Sequence, residues 1–160
     1  MSSGPVWYSP KRWMYRGNRP RGLARAMNAL SAWMYARGIL TLGVGATLEI
    51  RGRRSGRTMA LPVVVADYEG ERYLVSMLGE EAAWVRNVRA DGGKAVLTFG
   101  ERSEVRLVEV PVSERAPIIK RYLALAPGAR PHIPVDRRAP LADFERIAAQ
   151  QPVFRIEPRS

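Results

Sequence analysis

The spacing of hydrophobic and polar positions changes several times along the chain, and each change predicts an element. After Pro20, the apolar residues Leu23, Met27, Leu30 and Met34 recur at steps of four, three and four. That is the stripe of one amphipathic helix, which Gly38 can end. From Thr47 the period becomes two. TLEIRGR reads as a strand, RRSG as a turn and TMALPVVVADY as a second strand that contains Pro62. Glu69-Gly70 turns the chain again, and ERYLVSM (71–77) alternates as a third strand. Over residues 79–90 the pattern returns to helix, with Trp84, Val85 and Val88 on one face and Glu80 and Glu81 where a helix N-terminus favours negative charge. Asp91-Gly92-Gly93 ends it. KAVLTF and SEVRLVEV, separated by residues 100–102, then form a second hairpin. Ser113 is placed to cap a helix through Ile118, Ile119, Tyr122 and Leu123 up to Pro127. PGARPHIPVDRRAP holds too much proline for regular structure, residues 141–149 suit a short helix, and PVFRIEP suits a closing strand.

These elements sum to about six mostly antiparallel strands with flanking helices. The pattern predicts an α+β domain whose sheet closes into a small barrel. Strand and helix do not alternate as a doubly wound dinucleotide fold requires, and no internal repeat is present. Residues 1–20 mix Pro, Gly, Ser and basic residues with aromatics and have no clean period, so they read as a basic, partly irregular N-terminal arm. Residues 21–160 then form a single domain that opens on the amphipathic helix.

Composition narrows the chemistry. The chain has 160 residues, 46% of them hydrophobic and 26% charged, the balance of an ordinary globular protein with one core. It has no cysteine, which excludes disulfides, thiolate metal sites and cysteine nucleophiles. His132 is the only histidine, so a paired-imidazole metal site cannot be built and no metal is expected. No apolar stretch approaches the roughly 20 residues of a membrane-spanning helix. Arg16, Arg19, Arg21 and Arg25 interrupt the region an export signal would occupy, which gives a cytoplasmic reading. The net charge is +11, and nearly all of it lies in residues 1–57, where eleven Lys or Arg face the single acid Glu49. A local excess of this kind attracts anions: a cofactor's phosphates, an anionic bilayer or nucleic acid. The chain lacks any helix-turn-helix, zinc-finger or RNA-binding sheet signature, so no nucleic-acid partner is expected. The apolar stripe of the first helix beside Trp13, Trp33, Arg21 and Arg25 suits peripheral contact with the inner membrane face, or packing on the domain's own core. Arginine far outnumbers lysine, which with abundant Ala, Gly and Pro is the signature of a GC-rich genome, as in actinobacteria, and carries no chemistry.

Two segments can carry function. In GRRSGR (52–57), Arg53, Arg54 and Arg57 surround Ser55 and Gly56 in one tight turn. Guanidinium forks match phosphate oxygens, and a glycine-bearing turn aims backbone N–H groups at the same anion. The same residues also suit a solvated hairpin tip that is merely basic. In AAWVRN, Trp84 and Asn87 lie three apart and share a helix face, where an indole and an amide can hold a flat heterocycle; core packing of the indole is the other use of that spacing.

GRRSGRTMALPVVV, the strand ERYLVSMLG, AAWVRNVRA and the strand KAVLTF occur in this order over residues 48–99, and APGARPHIPVD and PVFRIEP follow more loosely. The series resembles the deazaflavin (coenzyme F420)-dependent nitroreductase and quinone reductase family. The resemblance implies an FMN-binding split-barrel-like fold, a split β-barrel with a cofactor groove between barrel and helices. It implies that Arg53, Arg54, Ser55, Gly56 and Arg57 meet the phosphate and acidic tail of coenzyme F420. Ser76, Met77, Leu78 and Gly79 would run along the deazaflavin ring, with Trp84 and Asn87 in the helix beside it. The implied activity is hydride transfer from the reduced deazaflavin to a small-molecule electron acceptor: a quinone, nitroaromatic or activated alkene. The cofactor carries the chemistry in that case, and no protein nucleophile is required. His132 is a candidate proton donor to the acceptor, because its ordinary pKa lies near neutrality. The other class consistent with such a barrel is a non-catalytic protein that binds FMN or a fatty acid, at the membrane surface or away from it; on either reading the chain is expected to be a monomer or homodimer.

Overall fold

The computed structural model describes residues 44–159. The expected N-terminal arm and amphipathic helix, with the membrane contact built on them, lie outside the described residues.

Seven strands form one sheet: β1 (Gly45–Arg51), β2 (Thr58–Val64), β3 (Ala66–Tyr68), β4 (Glu71–Val75), β5 (Lys94–Phe99), β6 (Glu101–Glu109) and β7 (Val153–Pro158). Their order is β2-β1-β5-β6-β7-β4-β3, and every neighbouring pair is antiparallel. The two edge strands, β2 and β3, are consecutive pieces of the segment 58–68, the stretch whose alternation predicts one strand. The segment divides at Val65, which leaves both ladders and donates its N–H to the Val44 carbonyl at 2.8 Å. A sheet whose two edges are joined by one bent strand must curl toward closure. This gives a split-barrel-like α+β fold with seven strands rather than six.

Pro62 is tolerated because β2 is an edge strand, whose outer side has no ladder to donate to. The β5–β6 turn is shorter than the sequence implies: β6 begins at Glu101, and Gly100 alone makes the reversal at φ 77°.

Among the described residues three helices flank the sheet: α1 (Ala83–Ala90), α2 (Ala116–Leu125) and α3 (Leu141–Ile147). A 3-10 turn, Gly79–Glu81, precedes α1, so Glu80 and Glu81 stand before the α-helix rather than in its first turn. Ser113 does not cap α2. It lies in a 3-10 turn, Val112–Glu114, and the helix opens from Arg115 with Pro117 in its first positions, where the fixed φ of proline suits a helix start. The proline-rich stretch is more regular than expected, since Pro127–His132 forms a 3-10 turn.

Two apolar clusters form the core of the described residues. One lies inside the curl of the sheet and contains Leu48, Leu74, Leu97, Leu107 and Phe154, with Val85 and Val88 of α1 as its plug. The other joins β3 and β4 to α2 and α3 through Ile119, Leu123, Phe144 and Val153. α1 is therefore held by its apolar face against the barrel, at a fixed height beside the β1–β2 hairpin.

Candidate functional site

The tip of the β1–β2 hairpin, residues 52–57, is a turn with most of its own hydrogen bonds made. Gly52 donates its N–H to the Arg57 carbonyl at 2.7 Å, and Gly56 donates to the Gly52 carbonyl at 2.9 Å. The Arg57 N–H donates to Ser55 Oγ at 3.1 Å. Gly56 takes φ 72°, a conformation that favours glycine, and a Cβ on Gly52 would stand 2.9 Å from Ser55 Oγ. The Arg53 N–H and its Nη1 both donate to Asn87 Oδ1, at 3.0 and 2.8 Å. Among the described residues the N–H groups of Arg54 and Ser55 have no partner, and neither do the guanidinium groups of Arg54 and Arg57.

Arg51, Arg53, Arg54, Ser55 and Gly56 form one side of a depression of about 490 Å³, and Asn87, Ala90 and Asp91 of the α1 end form the other. Asn87 is buried, and its single amide oxygen ties the turn to the helix. Its amide nitrogen lies 3.2 Å from Met59 Sδ, so both ends of the amide are engaged within the protein. The depression offers two free N–H groups, a hydroxyl and several guanidinium groups to an oxyanion, against one acid, Asp91. Such a constellation binds phosphate or carboxylate.

Along β2 from this turn, Met59 stands 41% exposed, and the strand continues into a second, apolar groove of about 110 Å³. Leu61, Pro62, Val63 and Val64 line it from β2, Met77 and Leu78 from the segment after β4, Trp84 from α1 and Tyr122 from α2. The half-buried Trp84 ring also packs on Phe154, with ring centroids 5.5 Å apart. Leu78, 60% exposed, sits at the groove. Ser76 and Gly79 line neither depression. Ser76 is fully buried, its hydroxyl donating to the Gly79 carbonyl at 2.8 Å and its N–H to the Pro152 carbonyl at 2.9 Å. They shape the bend that presents Met77 and Leu78.

The residues singled out in the sequence thus divide. Arg53, Arg54, Ser55, Gly56 and Asn87 meet at the basic depression; Met77, Leu78 and Trp84 meet at the apolar groove; Arg57 stands exposed at the tip outside both. His132 is exposed at the end of the Pro127–His132 turn and lines neither. The sequence reading missed Arg51, whose place one residue before the GRRSGR motif was the available signal. It also missed Asp91, which ends a predicted helix, and Tyr122, which the pattern places only along a helix.

The acids that follow the Ser76–Gly79 bend are spent. Glu80 accepts from both terminal nitrogens of Arg89 at 2.8 and 3.1 Å, and Glu81 pairs with Arg86. Arg89 also donates through Nε to Glu109 at 3.0 Å, and Glu109 accepts from the buried Arg115 at 3.1 Å. The bond from Arg89 holds the Glu80 carboxyl below the usual carboxylate range, while Arg89 itself is pushed up by its bonds to Glu80 and Glu109. These acids face cations of α1 and β6–α2, so they do not neutralise the guanidinium groups of the turn. Among the described residues no group of three or more His, Asp or Glu is arranged to hold a metal, and no helix is long and apolar enough to cross a membrane.

A family model for F420H(2)-dependent quinone reductase matches residues 36–142, two-thirds of the chain and the whole of this region. The chain belongs to that family. It is therefore an oxidoreductase, an F420-dependent reductase, and the family implies coenzyme F420 as its redox partner. Among solved structures the fold recurs at low identity. A protein of unknown function from Agrobacterium tumefaciens is 17% identical with a TM-score of 0.54, over 81% of this chain and 55% of that one. A protein solved as a domain-swapped dimer is 15% identical with a TM-score of 0.52, over 92% and 99%. A heme binding protein from Mycobacterium smegmatis is 16% identical with a TM-score of 0.51, over 78% and 50%. The chain spans only about half the length of the first and third. At these identities the likeness is one of fold alone. No curated protein sequence matches.

Proposed function

We propose that this F420-dependent reductase holds the phosphate and acidic tail of its cofactor at the GRRSGR turn and the flat deazaflavin ring toward the apolar groove. A small planar acceptor is reduced there, with a quinone the first choice ahead of a nitroaromatic or activated alkene. One observation carries this reading. The unpaired cationic turn is tied through Asn87 to α1, the helix whose Trp84 lines the groove three residues earlier. An anion anchor and a slot for a flat ring are thereby fixed on one rigid element.

The residues fit a ligand with one anionic end and one flat apolar end. Arg54, the two free N–H groups and the Ser55 hydroxyl would take phosphate oxygens in the depression, and Arg57, exposed at the tip outside it, would take a carboxylate of the tail that runs past. Leu61, Met77, Leu78 and Trp84 would cover a ring and keep water from it. The bound cofactor supplies the hydride, and the protein supplies position and a dry, positively biased setting. No proton is drawn from His132, which lines neither depression.

The test is titration of the full chain with F420, FMN and a fatty acid in parallel, followed by Arg54→Ala and Arg57→Ala. Each charge-assisted contact contributes about 1.5–3 kcal/mol, so each substitution should weaken F420 binding roughly 10- to 150-fold at low salt. If F420 does not bind, or binds equally to both variants, the anchor is misassigned. Tight binding of FMN or fatty acid in its place favours the non-catalytic alternative.

A further inference from the structure

Asp91 is the one acid in the lining of the basic depression, and it also lines a second depression of about 140 Å³ beside the end of β1 and the start of β5. Glu49, Lys94 and Arg159 are the other charged residues particular to that second space, and neither depression holds a histidine. The backbone of Asp91 is engaged within the protein. Its N–H donates to the Asn87 and Val88 carbonyls, each at 3.2 Å, and its carbonyl accepts from the Lys94 N–H at 3.3 Å. The polar group it has left for the two depressions is its carboxylate, on a half-buried residue, and that carboxylate makes no hydrogen bond or ion pair among the described residues.

Arg51 is also common to both depressions. Its guanidinium lies along the turn, Nη2 3.6 Å from where a Cβ on Gly56 would stand, and it has no ion pair among the described residues. One cation and one anion therefore share the wall between the two spaces without pairing. A carboxylate there is at odds with a site that only has to attract anions, and its effect depends on how much charge the ligand brings. A phosphodiester carries one negative charge, whereas a phosphomonoester carries about 1.5 to 2 at neutral pH, because its second pKa is about 6. The guanidinium groups of the turn attract the monoester more strongly, and Asp91 repels it more strongly in the same proportion.

We propose that Asp91 is a charge filter in the phosphate site, setting it to accept a singly charged phosphodiester and to disfavour a doubly charged phosphomonoester. The assignment rests on the GRRSGR turn being the phosphate anchor, and it names the class of phosphate the anchor takes. Coenzyme F420 carries a phosphodiester and FMN a phosphomonoester, so the filter favours the first. With charges roughly 6 Å apart and effective dielectric constants between about 40 and 80, each negative charge on the ligand costs about three- to ten-fold in Kd against Asp91.

The experiment is titration of the full chain and of Asp91→Asn with riboflavin, FMN and F420 in low salt, at about pH 7.5 and about pH 5.5. The substitution keeps the size of the side chain and removes its charge. Riboflavin, which has no phosphate, should have the same affinity for both proteins. FMN should bind Asp91→Asn about 10- to 100-fold more tightly than wild type at the higher pH, where it is a dianion, and only about three- to ten-fold more tightly at the lower, where its phosphate takes up a proton. F420 should gain less than FMN at the higher pH, and its gain should not change with pH, because a diester has no second proton to take up. Equal gains for FMN and F420, an FMN gain that is the same at both pH values, or FMN that binds neither protein overturns the filter. A fall in riboflavin affinity in the variant overturns it too, since Asp91 would then be serving a ligand hydroxyl. Failure of F420 to bind wild type instead overturns the anchor reading, and the FMN comparison then decides the filter by itself.

Discussion

Replacing Asn87 separates what holds the basic turn in place from what makes it positive. Asn87 Oδ1 accepts from the Arg53 N–H at 3.0 Å and from its guanidinium at 2.8 Å, and the side chain is 2% exposed. Asn87→Ala removes the acceptor for a backbone N–H, at about 0.5–1.5 kcal/mol net. Arg53 is itself exposed, so water replaces the guanidinium bond and that loss adds little. The vacated volume between α1 and the turn adds part of a truncation cost, for about 1–2.5 kcal/mol in all. Asn87→Asp keeps the acceptor and strengthens its bond to the guanidinium, which offsets part of the cost of burying a carboxylate. Stability should then rank wild type first, Asp next and Ala last.

Affinity for F420 should rank differently. A new negative charge roughly 6 Å from a bound phosphate costs about 0.7–3 kcal/mol at effective dielectric constants between 80 and 20, or roughly three- to 150-fold in Kd. Asn87→Ala loses only the preorganisation of the turn, a few-fold. The affinity order is then wild type, Ala, Asp, so the two variants exchange places between the assays. Urea unfolding and F420 titration at low and high salt measure the two orders, and added salt should narrow the gap for Asp more than for Ala. If stability and affinity rank the variants the same way, the turn acts through its shape alone and the electrostatic argument fails.

Gly93→Ala should cost about 2–4 kcal/mol of unfolding free energy, because Gly93 sits at φ 85° and a Cβ there would lie 2.5 Å from the Leu107 carbonyl oxygen; a urea midpoint unchanged from wild type would contradict this. Glu80→Gln should flatten the acid limb of the stability profile. Glu80 is held below its ordinary pKa by Arg89 in the folded state, so its contribution is present above the unfolded carboxylate pKa and is lost as pH falls through the lower folded value. The pair is 36% and 43% exposed, so solvent screening keeps the effect under about 1 kcal/mol, and identical acid limbs for the two proteins would remove Glu80 from the account.

Much of this architecture is written in local pattern. The alternation in TLEIR puts Leu48 and Ile50 inward, and the helical spacing of Val85 and Val88 plugs the barrel with α1. What local pattern does not carry is closure. TMALPVVVADY alternates as one strand, and only the pairing of its halves with opposite edges of the sheet, β1 at one and β4 at the other, makes Val65 a break. The same limit applies at the site. Three-residue spacing correctly puts Trp84 and Asn87 on one face of α1, but the indole enters the apolar groove, whereas the amide is engaged by Arg53 and Met59 instead of standing free for a heterocycle. Ser76 looks like a polar strand-end residue ready for a ligand, yet its hydroxyl closes a bend on Gly79. In each case the residue type was informative and its direction depended on a neighbour far away in sequence.

The distribution of ion pairs decides how the site can work. Acids just after the Ser76–Gly79 bend would oppose an anionic ligand if they were free. Glu80 and Glu81 instead pair with Arg89 and Arg86, cations on the flank of α1 away from Asn87, and Glu109 links Arg89 to the buried Arg115. This network spends its positive charge on fixing α1 and leaves Arg54 and Arg57 outside its ion pairs. The positive charge of Arg51, Arg53, Arg54 and Arg57 therefore survives folding as a field at the hairpin tip, while Glu80 and Glu81 are held in ion pairs with Arg89 and Arg86 of α1. An anion bound there would lie beside an apolar slot, an arrangement suited to a ligand charged at one end and flat and apolar at the other.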